Sequence, residues 1–323
     1  MASRAGLLSV VVPVYQGAHT VGTAVESLLV QTVPPCEIIV CDDGSTDDLM
    51  GSLAPYADRI TVLHQEHKGV AAARNLGLSH ASGDFVAVAD ADDRQYPRLI
   101  EVLGEIAMAR PDLDILTSQE HLERHHASAR SVLPSTLRRM QVSHSSTGAT
   151  FPIDDQRIGI LRSNFISGHA AARRRRLVDI GGYDETLRCA EDYDVWVRLI
   201  LSGARAGLVL EPLAVKRLRP DSVSTHGDWC IQGRITALTK ILDQGDITPA
   251  ERSVAEERIA VYRRGLEPAK AVADAKVALR AGHADARRRA LRVITIRDQP
   301  WLTRVKAAIA MLAPHWAGRR LSL

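Results

Sequence analysis

Short apolar runs alternate with amphipathic segments along the first half of the chain. Runs of mostly β-branched residues are typical of buried strands in a parallel sheet, and they predict strands at 7–12, 37–41, 60–64, 85–89 and 113–117. Between them, apolar residues at helical spacing predict helices at 21–31, 70–81 and 101–109, the first with Thr20 as its N-cap. This alternation predicts an α/β fold, with a mostly parallel sheet flanked by helices.

Two of the predicted strands end in clusters of acidic residues. Asp42 and Asp43 follow one strand, and Asp90, Asp92 and Asp93 follow another. Open α/β sheets bind ligands at the carboxyl ends of their strands. Asp90 and Asp92 are two positions apart, so in an extended chain their side chains can point the same way. Such hard oxygen ligands suit Mg²⁺ or Mn²⁺, although a polar turn with a helix cap is the structural alternative.

Other residues near these acids suit a nucleotide. Tyr15 follows the first strand and can stack on a base, and Asp42 or Asp43 can accept a hydrogen bond from a uracil-like N–H or a ribose hydroxyl. Arg74 can reach a phosphate, the alternative being a surface salt bridge. The chain lacks the G-x-G-x-x-G and G-x-x-x-x-G-K-[ST] motifs, so neither a dinucleotide fold nor a P-loop is indicated.

The second half of the chain is less regular. Residues 119–156 are largely polar and predict a long loop near the site. Glu191 and Asp192 lie in the first turn of a predicted amphipathic helix, where acids also serve as ordinary caps. The region from 228 onward is rich in Ala, Arg and Leu, and predicts helices at 229–243, 249–263, 268–281, 284–294 and 301–313.

Composition narrows the function classes. A net charge of +3 and 4% aromatic residues argue against a nucleic-acid partner. The four cysteines show no C-x-x-C spacing, which predicts reduced thiols in a cytosolic protein. No apolar run is long enough to cross a bilayer, and no signal peptide is visible, so we expect a cytoplasmic location.

Four sequence blocks carry a family resemblance. They lie at 9–15, 37–47, 69–77 and 83–93. In order and spacing they resemble the family 2 glycosyltransferases, and the similarity extends over about 7–225. The resemblance implies a Rossmann-like fold of the GT-A type and inverting transfer from a nucleotide-sugar donor. The last block contains Asp90-Ala-Asp92, which matches the metal-binding D-x-D motif of the family.

The resemblance also implies roles for single residues. Pro13, Tyr15 and Asp43 would border the nucleoside of the donor, with Asp42 beside them. Asp92 would be the principal ligand of Mn²⁺ or Mg²⁺, with Asp90 as the other acid of the motif.

The later part of the family resemblance implies roles for two further residues. Asp192 occupies the position of the family's catalytic base. Many members carry Arg-x-His-x-x-Ser-x-Ser near the end of the domain, and this chain has Arg219 in place of the histidine. An arginine cannot ligate a metal, but it can bind a diphosphate with two hydrogen bonds. His226 is the nearby histidine that could substitute as a ligand.

The sequence therefore predicts a metal-assisted, inverting, non-processive glycosyltransferase. We expect a GT-A domain at 1–227 and a helical region at 228–323. UDP-sugar is the expected donor, and the acceptor is a hydroxyl of a saccharide, a lipid-linked or another molecule, as in cell-envelope polysaccharide biosynthesis. The Q-x-x-R-W motif of processive synthases is absent. The alternatives are a sugar-nucleotide nucleotidyltransferase, which would need a basic Gly-rich loop after the first strand, and a non-catalytic scaffold.

The last helices leave the choice of partner open. Trp301, Lys306, Trp316, Arg319 and Arg320 could lie on an anionic membrane surface, as a peripheral contact on its inner face. The alternatives are packing on the protein's own core and contact with a second subunit in a homo-oligomer.

Overall fold

The computed structural model describes residues 7–124, 130–132, 149–150, 155–218, 227–244, 246–281, 283–296 and 301–312. The strands are β1 (Leu8–Val14), β2 (Glu37–Asp42), β3 (Thr61–His64), β4 (Phe85–Val88), β5 (Arg94–Gln95), β6 (Ile115–Arg124), β7 (Arg130–Val132), β8 (Ala149–Thr150), β9 (Ala171–Arg173) and β10 (Ala206–Leu218). The helices are α1 (Ala18–Leu29), α2 (Leu49–Leu53), α3 (Val70–His80), α4 (Leu99–Ala109), α5 (Gln156–Arg162), α6 (Arg174–Asp179), α7 (Glu191–Leu201), α8 (Gly227–Gln244), α9 (Pro249–Arg280), α10 (Ala286–Thr295) and α11 (Trp301–Leu312).

Within the described residues the strands form one mixed sheet. Its order is β3-β2-β1-β4-β9-β6-β10-β5, with β7 beside β6 and β8 beside β10. The first four strands in this order run parallel, and β6 runs parallel to β10. The short strand β9 lies antiparallel between β4 and β6. The predicted α/β class is confirmed, and the sheet is parallel where the alternation of strands and helices predicted it.

The parallel part of the sheet brings the acid clusters together. Residues of β1 alternate between two apolar cores, with Val11 on one face and Val10 and Val12 on the other. Because β1 is paired with both β2 and β4, the carboxyl ends of these three strands share one edge of the sheet. Val14 at the end of β1 is in register with Asp42 at the end of β2.

The start of α1 differs from the prediction. The helix begins at Ala18, and Thr20 lies within its first turn, where its hydroxyl donates to the Gly17 carbonyl. The backbone N–H of Ala18 donates instead to the Asp47 carboxylate, at 2.8 Å. A side chain from the next loop thus satisfies the helix start, which local sequence cannot reveal.

The polar segment after residue 119 is not all loop. β6 continues to Arg124 because β10 pairs with it over its length, and 130–132 and 149–150 add short antiparallel strands. The prediction of a long loop over 119–156 is therefore wrong at these positions. Hydrogen bonding to a neighbouring strand outweighs the weak hydrophobic pattern there.

The C-terminal region contains one helix where two were predicted. α9 runs for 32 residues and contains Pro268. Its first half packs on α8 and α5 and its second half on α10, so contacts on both sides of the proline offset the lost hydrogen bond. The buried Ile235, Leu238 and Ile259 join the same apolar core as α7. The domain boundary at 227/228 stays a prediction, with this core continuing across it.

The prediction of four reduced thiols is wrong for two cysteines. Cys189 and Cys230 form a disulfide across 41 positions of sequence. The packing of α8 against the segment before α7 brings them together, which their spacing in the chain does not show. Cys36 and Cys41 are free thiols, the first exposed and the second buried.

Candidate active site

The nucleoside side of the candidate site starts at the end of β1. Pro13 is buried in that strand, and the Tyr15 side chain just beyond it is 49% exposed. The Tyr15 ring stacks on the His67 ring, with 4.0 Å between centroids. Gln16 adopts a left-handed conformation with φ of 52°, and its side-chain amide donates to the Thr46 hydroxyl. The two loops that follow β1 and β2 are therefore joined beside an exposed aromatic surface.

Asp43 holds the loop that carries His67. One carboxylate oxygen accepts from the Lys68 N–H at 2.9 Å and from the Gln65 amide at 2.7 Å. The other accepts from the Gly69 N–H at 2.8 Å and lies 2.8 Å from His67 Nδ1. Asp43 is buried, so these bonds fix its position. The structure thus shows Asp43 supporting the Tyr15–His67 stack; its predicted contact with the nucleoside stays a prediction.

Asp42 is also engaged by its neighbours. Its carboxylate accepts from the Ser45 N–H and lies 2.8 Å from His64 Nδ1. Burial alone would raise the pKa of Asp42, but the hydrogen bonds from Ser45 and His64 outweigh it and lower the pKa. Asp42 is therefore ionised at neutral pH. Ser45, which donates to it, also accepts a hydrogen bond from the Gln16 backbone N–H, so this acid is connected to the loop after β1.

Arg74 is at the centre of the second half of the site. Its guanidinium is buried, donates to Glu191, and donates to Asp90 at 3.1 Å. It also lies over the Tyr183 ring, 5.5 Å from the centroid. Burial disfavours the charge of Arg74, but Glu191 and Asp90 raise its pKa, so it stays a cation. The structure shows it fixing two acids; its predicted contact with a phosphate stays a prediction.

The acids after β4 are held by several different segments. Burial would raise the pKa of Asp90, but the charges of Arg74, Lys216 and His169 lower it. Asp93 is buried, accepts from the backbone N–H of Arg217 at 2.7 Å and lies 3.0 Å from His169 Nε2. These contacts connect the segment after β4 to β10 and to the segment that precedes β9.

The two acids at the start of α7 have different environments. Glu191 is buried, and burial raises its pKa while Arg74 opposes the shift. Asp192 is partly exposed, and its carboxylate accepts from the Tyr193 N–H at 2.7 Å. Ala190, which precedes them, has a left-handed backbone with φ of 66°. One acid is thus held inside the protein and the other lies at the surface of the site.

The segment before these acids is fastened to α8. Cys189 is bonded to Cys230, and a Cβ added to Gly233 would lie 2.0 Å from the Cys189 carbonyl oxygen. Only glycine allows that close approach. α8 therefore helps to hold Ala190 and the first turn of α7 in place.

The carboxylates at the end of β4 suit a divalent cation that takes its other ligands from a substrate. Among the described residues no group of three or more His, Cys, Asp or Glu side chains could hold a metal ion. Mg²⁺ and Mn²⁺ sites commonly use one or two protein carboxylates and take further ligands from phosphates and water. Asp90 and Asp92 at the end of β4 supply two such carboxylates, so the residues fit this kind of site.

The sequence placed several of these residues near the site and left others unassigned. His67, Asp93 and His169 are among those not assigned. His67 precedes the block at 69–77 and Asp93 follows the D-x-D acids, whereas His169 has no such signal. Arg219 and His226 lie outside the described residues, so their predicted roles stay predictions.

Comparison with known proteins then identifies the family. The family model "Glycosyl transferase family 2" matches residues 9–179. The chain belongs to glycosyl transferase family 2. An uncharacterized glycosyltransferase of Escherichia coli K12, YibD, is 39% identical over 118 residues, which are 36% of this chain and 34% of that protein. The chain thus matches about a third of the length of this curated relative.

Solved structures support the same fold. Staphylococcus aureus TarS 1–349 aligns with a TM-score of 0.61 at 18% identity, covering 97% of this chain and 89% of that one. The mannosyltransferase PcManGT of Pyrobaculum calidifontis, solved with GDP-Man and Mn²⁺, aligns with a TM-score of 0.60 at 18% identity, covering 95% and 87%. The predicted GT-A fold is therefore confirmed.

Proposed function

We propose that this family member is a metal-assisted, inverting glycosyltransferase that moves a sugar from a nucleotide-sugar to an acceptor hydroxyl. The observation that carries the proposal is the contrast between Glu191 and Asp192. Arg74 binds Glu191 inside the protein, whereas Asp192 stays partly exposed beside the acids at the end of β4. A base must reach its substrate, so the exposed acid is the one suited to that role.

Asp192 is the proposed general base. It takes the proton of the acceptor hydroxyl while the oxygen attacks the anomeric carbon of the donor sugar. The bond from that carbon to the diphosphate breaks, and the nucleoside diphosphate leaves with the electron pair. Attack on the side opposite the leaving group inverts the configuration. Arg74 keeps α7 and Asp90 in fixed relative positions, so the base and the diphosphate site are held together.

Asp92 and Asp90 are the proposed protein ligands of Mn²⁺ or Mg²⁺. When bound, such an ion neutralises the charge that develops on the departing diphosphate. The chemistry of the two carboxylates supports this assignment, as does the Mn²⁺ present in the PcManGT complex. Arg219 is the proposed additional diphosphate ligand.

Tyr15 and His67 are proposed to receive the base of the donor. Their stacked rings offer an exposed aromatic surface next to Pro13, Asp42 and Asp43. A UDP-sugar is the proposed donor, which the structure of TarS in complex with UDP-GlcNAc supports by analogy. GDP- and dTDP-sugars are the competing donors for the experiment below.

The proposed acceptor is a hydroxyl of a saccharide or a lipid-linked molecule, in cell-envelope polysaccharide biosynthesis. Transfer of one sugar per encounter is part of the proposal, which the lack of a Q-x-x-R-W motif in the sequence supports. Across the described ranges, no helix has the length and apolarity to cross a membrane. A cytoplasmic place, with peripheral contact to the membrane or self-association through α8–α11, stays a prediction. The prediction of a cytosolic protein drew on four reduced cysteines. Because Cys189 and Cys230 form a disulfide, the cysteines no longer support a reducing compartment.

Two measurements test the proposal. Thermal shifts with UDP-, GDP- and dTDP-sugars plus Mn²⁺ identify the donor, because a ligand bound by the native state raises the melting temperature. Slow donor hydrolysis with Mn²⁺ and no acceptor should then release the nucleoside diphosphate. A scaffold would give no hydrolysis, and a nucleotidyltransferase would consume a nucleoside triphosphate and release pyrophosphate. Either result would overturn the proposal.

A further inference from the structure

The positive charge of the chain is concentrated in its last part. Residues 281–323 contain nine Lys or Arg residues and two Asp residues, a net charge of +7. The whole chain has a net charge of +3, so the residues before this part have a net negative charge. Such an asymmetry is typical of a segment that contacts a polyanion or a charged membrane.

The helix α10 is amphipathic, and its apolar side packs inside the protein. Ala286, Ala290 and Val293 are buried among residues of α9 and α11. Their spacing of four and three positions places them on one side of the helix, so Arg288 and Leu291 lie on the other. The Arg288 side chain is 83% exposed and Leu291 is 47% exposed. The outer side of α10 therefore presents a basic and an apolar residue together.

The helix α11 adds a second apolar residue and a further arginine. Ala307 and Ala310 are buried among residues of α9 and α10, whereas Val305, on the opposite side of α11, is 45% exposed. Arg304 is exposed, and its Nε donates to the Ile294 carbonyl of α10 at 2.9 Å. This bond places Arg304 at the junction of the two helices, so their outer sides adjoin.

The arginines of α10 have only weak partners within the protein. Arg288 pairs with Asp285 at 3.5 Å, and Arg292 pairs with Glu267 at 3.4 Å. Exposed ion pairs of this kind contribute little to stability, because solvent screens them. An anionic ligand can therefore replace these acids at low cost.

The apolar residues beside the arginines distinguish between anionic partners. At a membrane, apolar side chains enter the boundary between headgroups and acyl chains, and arginines bind the anionic headgroups. A nucleic acid would use the arginines but not the leucine or the valine. Its bases would also need aromatic rings to stack on, and aromatic residues are only 4% of the chain. The combination favours a lipid surface.

We propose that the outer sides of α10 and α11 bind an anionic lipid surface. Arg288, Arg292 and Arg304 bind the headgroups, and Leu291 and Val305 insert between them. This contact is independent of the nucleotide-sugar donor, so loss of lipid binding would leave the proposed transfer reaction intact. Lipid binding would hold the enzyme at the surface where a lipid-linked acceptor lies.

Flotation of the full chain with lipid vesicles measures this binding. Vesicles of phosphatidylcholine alone are compared with vesicles of phosphatidylcholine mixed with phosphatidylglycerol, at equal lipid concentration. The charge variant is Arg288→Gln/Arg292→Gln. Its matched control is Arg263→Gln/Arg264→Gln, which removes the same charge from exposed positions of α9.

A second pair of variants tests the apolar contribution. Leu291→Gln removes the exposed leucine of α10, and Val261→Gln, at an exposed valine of α9, is its control. Melting temperatures and circular dichroism establish that each variant is folded. Sedimentation velocity without lipid is measured in parallel.

We expect the wild type to float with the mixed vesicles and not with phosphatidylcholine alone. The charge variant should partition at least about tenfold more weakly, since each arginine near an anionic surface contributes to binding. Leu291→Gln should partition about threefold more weakly or less, because it removes apolar insertion. Both α9 controls should stay within about twofold of the wild type.

Four results would overturn the inference. The first is a wild type that does not bind the mixed vesicles. The second is an equal loss in the α9 controls, which would show a response to net charge alone. The third is a dimer that Leu291→Gln dissociates while vesicle binding stays unchanged, since a second copy of the chain would then be the occupant. The fourth is duplex DNA that binds as tightly as the vesicles at equal phosphate concentration, with no loss in Leu291→Gln.

Discussion

Arg74 donates a hydrogen bond to Glu191, which lies 117 positions later in the chain. The same guanidinium donates to Asp90. One cation on α3 therefore connects the acids after β4 with the first turn of α7. The two acids of α7 therefore have different partners. Glu191 accepts the hydrogen bond from Arg74, whereas Asp192 accepts from the Tyr193 backbone N–H.

The first prediction separates these two acids. Asp192→Asn should lower the transfer rate by about 10² to 10⁴, because an amide cannot accept the acceptor's proton. Donor affinity and melting temperature should stay close to wild type. Glu191→Gln should instead lower stability by about 1–3 kcal/mol, since it weakens a buried hydrogen bond of Arg74 and removes one of its two counter-charges, with Asp90 remaining. Transfer rate, donor affinity and thermal unfolding are measured side by side. An Asp192→Asn enzyme with near wild-type turnover would refute the base assignment.

The second prediction concerns the metal. Asp92→Ala should abolish the gain in nucleoside diphosphate affinity that Mn²⁺ provides, because it removes the principal carboxylate ligand. Calorimetric titrations of the diphosphate with Mn²⁺ and with excess chelator measure this gain. Glu257→Ala is the control, since Glu257 is an exposed acid on α9, in the C-terminal helical region. Wild-type affinity that is the same with Mn²⁺ and with chelator would contradict a metal-assisted site.

The third prediction tests the aromatic surface. His67→Ala should weaken donor binding by about 1–3 kcal/mol, the range for loss of one stacking partner of a base. Asp43→Asn should act in the same direction, because Asp43 positions His67 and the N–H groups of Lys68 and Gly69. Nucleoside affinity reports the effect directly. Equal nucleoside affinity in His67→Ala and wild type would exclude a role for the stack.

The fourth prediction concerns the disulfide. Reduction, or the Cys230→Ser change, should lower the free energy of unfolding by about 2–4 kcal/mol, because it frees a loop in the unfolded chain. Transfer should also slow, since the disulfide fixes the segment that precedes Glu191. Cys36→Ser is the control, being an exposed free thiol. Denaturant unfolding with and without reductant measures the change, and an unaltered midpoint would show that packing alone holds α8.

The fifth prediction concerns pH and the start of α9. Glu251 bonds with Arg157 and accepts from the Thr248 N–H at 2.8 Å. These hydrogen bonds, Arg157 first, lower the pKa of Glu251 to about 2. A depressed pKa contributes stability above the unfolded value of about 4.5, and that contribution is lost as the pH falls towards 2. Glu251→Gln should remove about 1–3 kcal/mol at neutral pH, discounted because Arg157 is partly exposed.

The measurement for this fifth prediction is a series of unfolding curves between pH 7 and pH 2. The difference between wild type and Glu251→Gln should shrink as the pH falls through this window. Glu257→Gln is the control, because Glu257 is an exposed acid on the same helix. A difference that is constant with pH would mean that the charge of Glu251 is not the stabilising feature.

The sequence by itself determined the strands of the parallel half-sheet and the acids at their ends. Both follow from local chemistry: a buried strand needs an apolar run, and the residue after that run lies at the sheet edge. The same blocks determined the family, and with it the GT-A fold. Pro13, Tyr15, Asp42, Asp43 and Asp90 were located in this way, and they lie at that edge of the sheet. Asp192 came from the family resemblance and lies in the first turn of α7. The functional roles of all six stay predictions.

Only the tertiary structure decided which of these side chains are bonded to other residues of the protein and which are left exposed. Arg74 was expected at a phosphate, but it is buried between Asp90 and Glu191, which the fold brings together from distant parts of the chain and no local pattern records. The same holds for the stacking of His67 on Tyr15, for the contact between Asp93 and His169 and for the disulfide. Each joins residues that are distant in sequence. Their electrostatics depend on burial and separation, which are fixed only when the chain has folded.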